Sequence, residues 1–360
     1  QPDLGTSVPA IAFPSVWVFL GAMNRSSTPA QSEASATDGP IVAVCGTINV
    51  DTFVGLTEFP APGETVIGTR GVQGLGGKGA NQAAASAHLG VETLLLSAVG
   101  PGADGTSSSA ADPLADLALD ELQAHGVDTT HVSRTDLPTG QAFIMNDQSG
   151  ENIIIVTSGA NETVSPLALR ETLKGEGGVE KRIKVLLAQG ELTPEHSAEL
   201  PRLAEALPGA RFVLNLAPVT TRDADLLAAA NPLIVNEIEA ADVTGLPRDT
   251  PFEQLVEALR SVAKSAVMTL GPKGAAVITQ DEVRLVPSPP SPDVVDTTGA
   301  GDAFCGTFAA ALAQGADMVE AVQLGAAAGS LATRKAGAAG SYATEAEVRA
   351  LAKDFFSSAN

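Results

Sequence analysis

The sequence predicts an α/β fold: a mostly parallel sheet with helices on both faces, carrying a small second sheet. Three observations lead there. Short, continuous apolar runs alternate with Ala-rich or amphipathic helical segments along most of the chain, the βαβ rhythm of a buried parallel sheet. Two Pro/Gly-containing turns, each flanked by short strand-like segments, interrupt that rhythm. Finally, 360 residues with 44 % hydrophobic and 18 % charged side chains suffice for one large or two modest globular domains without a disulfide or metal staple.

The elements follow in order. Ile41 to Cys45 (IVAVC) is a buried strand ending at Gly46. Gly79 to Leu89 is Ala-rich and helical, and Gly90 stops it. Thr93 to Val99 is apolar again, and Asp116 to His125 has helical spacing before Gly126. Lys184 to Ala188, Arg211 to Leu216, Leu233 to Val235 and Ala266 to Leu270 read as further buried strands. Glu195 to Ala206, Glu253 to Lys264 and Asp302 to Ala313 read as helices between them. The interruptions are Thr52 to Thr57 with Thr65 to Thr69 around FPAPGE, and Gln141 to Asn146 with Asn152 to Val156 around DQSGE. Both look like antiparallel two-stranded pieces. Together, over about 52–70 and 141–156, they make a small sheet able to act as a lid at the carboxyl edge of the large one.

Residues 1–39 are set apart from the fold. Residues 10 to 22 (AIAFPSVWVFLGA) are a short apolar stretch without a preceding Lys or Arg, and residues 26 to 39 are a small, polar linker. The stretch reads as a disordered extension or as the remnant of an organelle-targeting segment. No apolar run reaches the roughly 18 residues of a membrane span. With 21 basic against 42 acidic residues the net charge is −21, which repels phosphate backbones and anionic lipid and argues against nucleic-acid or membrane partners. Two cysteines, Cys45 and Cys305, make no disulfide framework, so a reducing, cytoplasmic compartment is expected. His88, His125, His131 and His196 show no metal-ligand spacing.

Two glycine-rich segments carry the chemistry. Gly74 to Gly79 fits G-x-G-x-x-G, but Gly68 to Gln73 before it is polar and no acid stands near position 99, so the dinucleotide reading fails. The phosphate-loop pattern fails too, with Val72 in place of its first Gly and Gly79 after Lys78. What remains is GGKGANQ opening a helix, where small residues admit a ligand to the backbone and Lys78 and Asn81 offer donors to hydroxyls. The second segment, Asp296-Thr297-Thr298-Gly299-Ala300-Gly301-Asp302-Ala303-Phe304, opens an apolar helix. Its two glycines bare N–H groups at a helix N-terminus, an anion hole, with Asp302 in the first turn. That pairing suits phosphoryl transfer to a hydroxyl. The plain alternatives are a flexible turn for the first segment and a helix-capping carboxylate for the second.

GGKGANQ and DTTGAGDAF resemble the two signature segments of the ribokinase (pfkB-type) carbohydrate kinases, and the likeness spans roughly Pro40 to Leu351. Gly46 to Asp51 (GTINVD) resembles the family's first sugar-binding strand end, and Phe59 to Thr65 its lid turn. Gln189-Gly190-Glu191, Asn215 to Pro218, Asn236-Glu237-Ile238-Glu239 and Thr269 to Gly274 appear in the family's order. Within the family, GGKGAN with N-x-D upstream is similar to ribokinase proper. The resemblance implies a ribokinase-like three-layer α/β/α sandwich over 40–360 with a β lid, acting as an ATP-dependent kinase on the 5-hydroxyl of D-ribose. It implies sugar contacts from Asn49, Asp51, Gly77, Lys78, Gly79, Ala80, Asn81 and Glu191, with Asp302 as the base. ATP lies against Asn236, Thr269, Leu270, Gly271, Pro272, Lys273, Gly274 and Gly301. Asn236 and Glu239 look like the Mg²⁺- and phosphate-sensing pair. Asp296, Thr298, Ala332, Lys335, Gly337 and Ser341 correspond to a K⁺ cage built mostly from backbone carbonyls. A homodimer through the lid is also implied. The departures are a longer loop at 101–113, Ala336 and Gly340 in the last loop, and the N-terminal extension. A related kinase for deoxyribose, fructose or a nucleoside is the rival within the family, and a catalytically silent sugar binder is the rival outside it.

Overall fold

The computed structural model describes residues 39–69, 71–102, 110–149, 151–174 and 178–357. The extension read at 1–39, apart from its last residue, and the middle of the 101–113 loop lie outside the described residues. In chain order the elements are β1 (Ile41–Cys45), β2 (Asn49–Gly55), β3 (Val72–Gly76), α1 (Lys78–His88), β4 (Glu92–Val99), α2 (Pro113–Ala124), β5 (Val127–Asp128), β6 (Val132–Arg134), β7 (Gly140–Asn146) and β8 (Asn152–Thr157). After them come α3 (Pro166–Leu173), α4 (Val179–Arg182), β9 (Ile183–Gln189), α5 (Pro194–Ser197), α6 (Leu200–Glu205), β10 (Arg211–Asn215), α7 (Ala224–Ala229), β11 (Leu233–Asn236), α8 (Glu237–Thr244) and α9 (Phe252–Val262). The chain closes with β12 (Ala266–Thr269), β13 (Ala275–Ile278), β14 (Val283–Val286), α10 (Ala300–Ala313), α11 (Met318–Ala332) and α12 (Glu345–Ser357).

The large sheet runs β14-β13-β12-β11-β10-β9-β1-β4-β5, with β6 also on β4. It is parallel from β12 through to β5 and β6, and antiparallel at the β12–β13 and β13–β14 pairs. Its central strands read as unbroken apolar runs because both faces are covered. In β1, Val42 and Val44 point into one core with α1, α2, α10, α11 and α12. Ile41, Ala43 and Cys45 point into the other, with α3, α6, α7, α8 and α9. The result is the three-layer α/β/α sandwich. The edge hairpin β13–β14 was not among the strands read from the sequence. Among the described residues no helix is long and apolar enough to cross a membrane.

The lid sheet has the order β3-β2-β7-β8. Its outer pairs are antiparallel, but its central pair, β2 with β7, is parallel. β7 and β8 fall where the alternation predicts them. The first pair is corrected. Residues 65–69 form no strand, and the antiparallel partner of β2 is β3, in register Asn49↔Gly76 to Phe53↔Val72. The segment 56–69 is a loop, pinned at its base where Gly55 N–H donates to Thr69 Oγ1 and Thr69 N–H donates to Gly55 O. The helix expected over Glu195 to Ala206 is likewise two short helices, α5 and α6. Pro201 explains the break: it has no N–H for an i−4 bond and is accommodated only in the first turn of α6.

Candidate active site

β1 leads in three residues to β2 of the lid, and the N-terminus of α1 packs directly onto that connection. A Cβ on Gly79 would lie 2.5 Å from the Thr47 nitrogen, and one on Gly77, at φ +85°, would lie 2.8 Å from both Asn49 N and Thr47 O. Glycine is required at both positions, and what approaches the backbone there is the protein's own chain. Ala80 turns its methyl into the core and its N–H to Thr47 O. Of the sugar contacts expected, it joins Gly77 and Gly79 in having no side-chain group to offer.

The polar side chains around this crossing are buried and held. Asn49 Oδ1 accepts from Asn161 Nδ2 at 2.8 Å, so Asn49 keeps its own amide N–H groups for a ligand. Glu191, just past β9, accepts at Oε2 from Lys78 N–H and from the Thr47 hydroxyl. Burial nevertheless raises its carboxyl above the usual range. Among the described residues Asp51 Oδ1 and Asn81 Oδ1 are buried with no hydrogen-bond partner. Two orphaned oxygens in one site mark a place for hydroxyl donors. Burial first, then the charges of Glu191 and Asp302, push Asp51 up to about 6.

Asp302 occupies the first turn of the fourteen-residue helix α10, whose N-cap Gly299 has φ +74°. A Cβ on Gly299 would meet Ala338 Cα at 2.8 Å, whereas one on Gly301 would enter open space. Among the described residues the N–H groups of Gly301 and Asp302 have no backbone acceptor, as an anion hole requires. The Asp302 carboxylate is 7 % exposed. Its Oδ1 accepts from Gln82 Nε2 at 2.9 Å and lies 3.5 Å from Lys78 Nζ. Asp302 beside it raises the Lys78 ammonium, which stays charged. Lys78 also feels Glu191 and Glu239, so acids from three separate sequence segments surround one lysine.

The nucleotide segments are built differently. Gly271, Pro272 and Lys273 form an exposed single turn after β12, closed by Leu270 N–H to Gly274 O and Lys273 N–H to Leu270 O. Thr269 ends β12. Asn236 and Glu239 form a reciprocal capping box on α8: Glu239 N–H donates to Asn236 Oδ1 and Asn236 N–H to Glu239 Oε2, both at 2.8 Å. That box is a complete local reason for the N-x-x-E pair. It leaves Glu239 Oε1 unassigned, and burial raises the carboxyl.

Residues 41–345 match the model of the pfkB family carbohydrate kinases. The chain belongs to that family. It is 33 % identical over 312 residues to a ribokinase of Haemophilus influenzae, covering 85 % of this chain and 96 % of the relative. It is 32 % identical over 292 residues to a deoxyribokinase of Salmonella typhi, covering 78 % and 89 %. Its fold superposes on the structure of Arabidopsis thaliana ribokinase complexed with ribose and ATP with a TM-score of 0.75 at 31 % identity, covering 88 % of this chain and 99 % of that one. The three-layer body with its β lid is therefore that of a ribokinase-type carbohydrate kinase.

In this kinase the two segments expected to face a monovalent cation do lie side by side. The N–H groups of Val295 and Asp296 donate to Thr333 O, and Gly337 N–H donates to Asp296 Oδ2 at 3.0 Å. Asp296 Oδ1 accepts from Thr298 N–H. Burial alone raises the Asp296 carboxyl, but these hydrogen bonds outweigh it and hold the group below its ordinary range. Ala332 O accepts from Lys335 N–H, and Ser341 Oγ donates to Ala338 O.

Two residues that hold the site were not singled out in the sequence. Thr47 fixes Glu191. Asn161 clamps the entry to β2, accepting from Ile48 N–H and donating to Ile48 O and Asn49 Oδ1. A signal existed for the second: the tripeptide Gly-Ala-Asn occurs at 79–81 and again at 159–161, and both copies end in an asparagine buried at this site.

Proposed function

We propose that this kinase transfers the γ-phosphoryl group of ATP to the 5-hydroxyl of D-ribose, with Asp302 as general base. The observation that carries the reading is the buried Asp302 carboxylate in the first turn of α10, beside the open N–H groups of Gly301 and Asp302. Asp302 takes the hydroxyl proton, the alkoxide oxygen attacks the γ-phosphorus, and the bond to the leaving ADP oxygen breaks. The N–H groups of the α10 turn and the Lys78 ammonium stabilise the charge that develops on the phosphoryl oxygens. Asn49, Asp51, Asn81 and the Oε1 side of Glu191 hold the sugar's remaining hydroxyls. Gly77 and Gly79 shape the floor beneath it, and Thr269 to Gly274, Asn236 and Gly301 border the nucleotide.

Mg²⁺ bound to the phosphates supplies charge neutralisation. Among the described residues no group of three acidic, histidine or cysteine side chains stands ready to hold a metal. That fits an ion carried in by the nucleotide with largely water and phosphate ligands, reached through water by Asn236 and Glu239. The oxygen-rich contact of 296–298 with 332–341 fits K⁺. Asp296 and Ser341 offer side-chain oxygens there, Thr298, Ala332, Lys335 and Gly337 offer carbonyls, and the ion orders the loop that carries Gly299 and Gly301.

Residues 40–360 act as one kinase domain with its lid. The lid supports a homodimer: edge strand β8 exposes Ile153, Ile154, Ile155 and Val156 in a row, an unprotected apolar edge suited to a second copy. Cys45 and Cys305, both free and buried, suit a reducing cytoplasm. Deoxyribose is the second substrate to weigh, because a relative as similar as the Salmonella deoxyribokinase acts within the same family. Purified kinase with ATP and a panel of D-ribose, deoxyribose, fructose and nucleosides tests the reading. D-ribose should give the highest kcat/KM; a higher value for any other sugar, or no ADP with any of them, overturns it.

A further inference from the structure

Helices α1 and α10 sit close just past their first turns. A Cβ on Gly306 would fall 2.3 Å from Gln82 O and 2.6 Å from Ala85 Cβ. This contact, one helical turn past Asp302, brings the fully buried Gln82 within hydrogen-bond reach of the carboxylate. Gln82 is part of a chain of buried amides with a fixed direction. Ile234 O can only accept, and it takes Asn215 Nδ2 at 3.2 Å. Asn215 must then present Oδ1, which accepts from Gln82 Nε2 at 2.9 Å. At the other end Gln189 Nε2 donates to Gln82 Oε1 at 2.9 Å, so the Gln82 carbonyl is spoken for. Its remaining N–H has one place to go, Asp302 Oδ1. Gln189 is itself seated against Gly46, where a Cβ would lie 2.0 Å from its Oε1. Gln189 Oε1 has no hydrogen-bond partner among the described residues, so the direction of the chain is set from the Ile234 carbonyl: it fixes Asn215, Asn215 fixes Gln82, and Gln82 Oε1 holds Gln189 as the donor.

We infer that Gln82, oriented by Gln189 and Asn215, is a positioning residue for the phosphoryl-transfer base: it pins Oδ1 of Asp302 and thereby dedicates Oδ2 to the proton of the sugar hydroxyl. The inference rests on the reading of Asp302 as that base. Both side-chain contacts of Asp302, with Gln82 and with Lys78, converge on Oδ1. A carboxylate anchored at one oxygen by a rigid donor cannot rotate its other oxygen away from the reacting hydroxyl. Small misplacements of a reacting group cost about 100-fold in rate. Lys78 alone would not do the same, because an ammonium on a four-carbon stem is a mobile point charge. The other ionisable groups that feel Asp302 are Asp51, Glu191, Glu239, Cys305 and Tyr342. Among the described residues none of them hydrogen-bonds its carboxylate.

The test is a double-mutant cycle on the full chain, with Gln82→Met (similar length, no donor) and Asp302→Asn. The expected result is a kcat lowered about 10- to 100-fold by Gln82→Met, with KM for ribose and for ATP within threefold of wild type. In the Asp302→Asn background, measured over long incubations, Gln82→Met should change the residual rate by less than threefold. A packing role predicts the opposite: the loss would persist in that background or appear in both KM values, and either result overturns the inference. If Gln82→Met fails to fold, Gln189→Met carries the same cycle. Asn215 still sets the direction of the Gln82 amide, but the donor that holds its carbonyl is gone and the side chain is less firmly seated, so a smaller loss, still absent from the Asp302→Asn background, is expected. Full additivity or an unchanged kcat overturns the inference there as well. Failure of the base assignment looks different: Asp302→Asn alone would then stay within threefold of wild-type turnover.

Discussion

The proposed sugar side and the proposed nucleotide side of the site are made by opposite means. The sugar side is dug into the protein. Asn49, Asn81 and Asp302 are buried; Asn161 in the loop after β8 holds Asn49, and α1 holds Asp302 through Gln82 and Glu191 through the Lys78 N–H, while Asp51 Oδ1 and Asn81 Oδ1 have no partner among the described residues. The nucleotide side is a shelf. Gly271 to Lys273 are exposed, their hydrogen bonds stay within one turn, and Ile238 beside Asn236 and Val294 and Val295 just before Asp296 are half exposed or more. Buried polar groups give shape-specific recognition because each one left unpaired costs about 1–3 kcal/mol. An open shelf supplies area and backbone dipoles and tolerates variation. Selectivity for the sugar and looser grip on the nucleotide follow from that contrast.

The contrast breaks most visibly at the boundary between the halves. Asp302→Asn should lower kcat about 10²- to 10⁴-fold with ribose affinity nearly unchanged, measured by steady-state kinetics and ribose calorimetry. A comparable loss of ribose binding would place Asp302 wholly on the sugar side. Next comes Asp51→Ala, expected to raise the ribose KM roughly 10- to 100-fold, from one lost charged hydrogen bond, and to leave the ATP KM within threefold. Equal effects on both would erase the distinction between the halves.

Protonation sharpens the same comparison. Asp51 is raised from about 3.8 to about 6, so between these values the folded chain holds more protons than the unfolded one. Stability contributed below the lower value is therefore lost as pH rises through about 6. Ligand-free Asp51→Asn should melt above wild type at pH 7.5, with the gap closing toward pH 4. Ribose affinity should move the other way in wild type, tightening as pH rises through about 6 and the carboxylate becomes an acceptor, while Asp51→Asn stays flat. The smallest expected effect concerns the loop under the anion hole. Replacing a bulky organic cation by K⁺ at fixed ionic strength should raise turnover several-fold through a better-ordered hole, and Asp296→Ala should remove the difference.

Much of this was legible in the sequence where the residues that make an element or a site are contiguous. The central strands of the large sheet are mostly apolar runs, and Ile41 to Cys45 matches its strand to the residue. GGKGANQ and the DTTGAGD turn each place their chemistry within a few positions. What escaped depends on partners distant in sequence. The strand expected at 65–69 lies instead at 72–76, because pairing with β2 is set by register at Gly76 rather than by the Pro/Gly turn. Thr47 and Asn161 are ordinary polar residues until the fold sets them against Glu191 and Asn49. The glycines of GGKG were read as room for a ligand, yet Gly77 and Gly79 are needed first so that α1 can rest on the β1–β2 connection.

The parallel β2–β7 pair at the heart of the lid also sets a timetable for synthesis. Asn49 pairs with Gly140, a partner that leaves the ribosome roughly 90 residues later, on the order of ten seconds at about 5–20 residues per second. Until then β2 has only β3 beside it, and a two-stranded hairpin is marginal in water. A nascent chain stalled in that interval shows an open strand edge to whatever is near. Chaperone capture of this kinase should therefore concentrate on chains ended between β3 and β7 and drop once Gly140 to Asn146 has emerged.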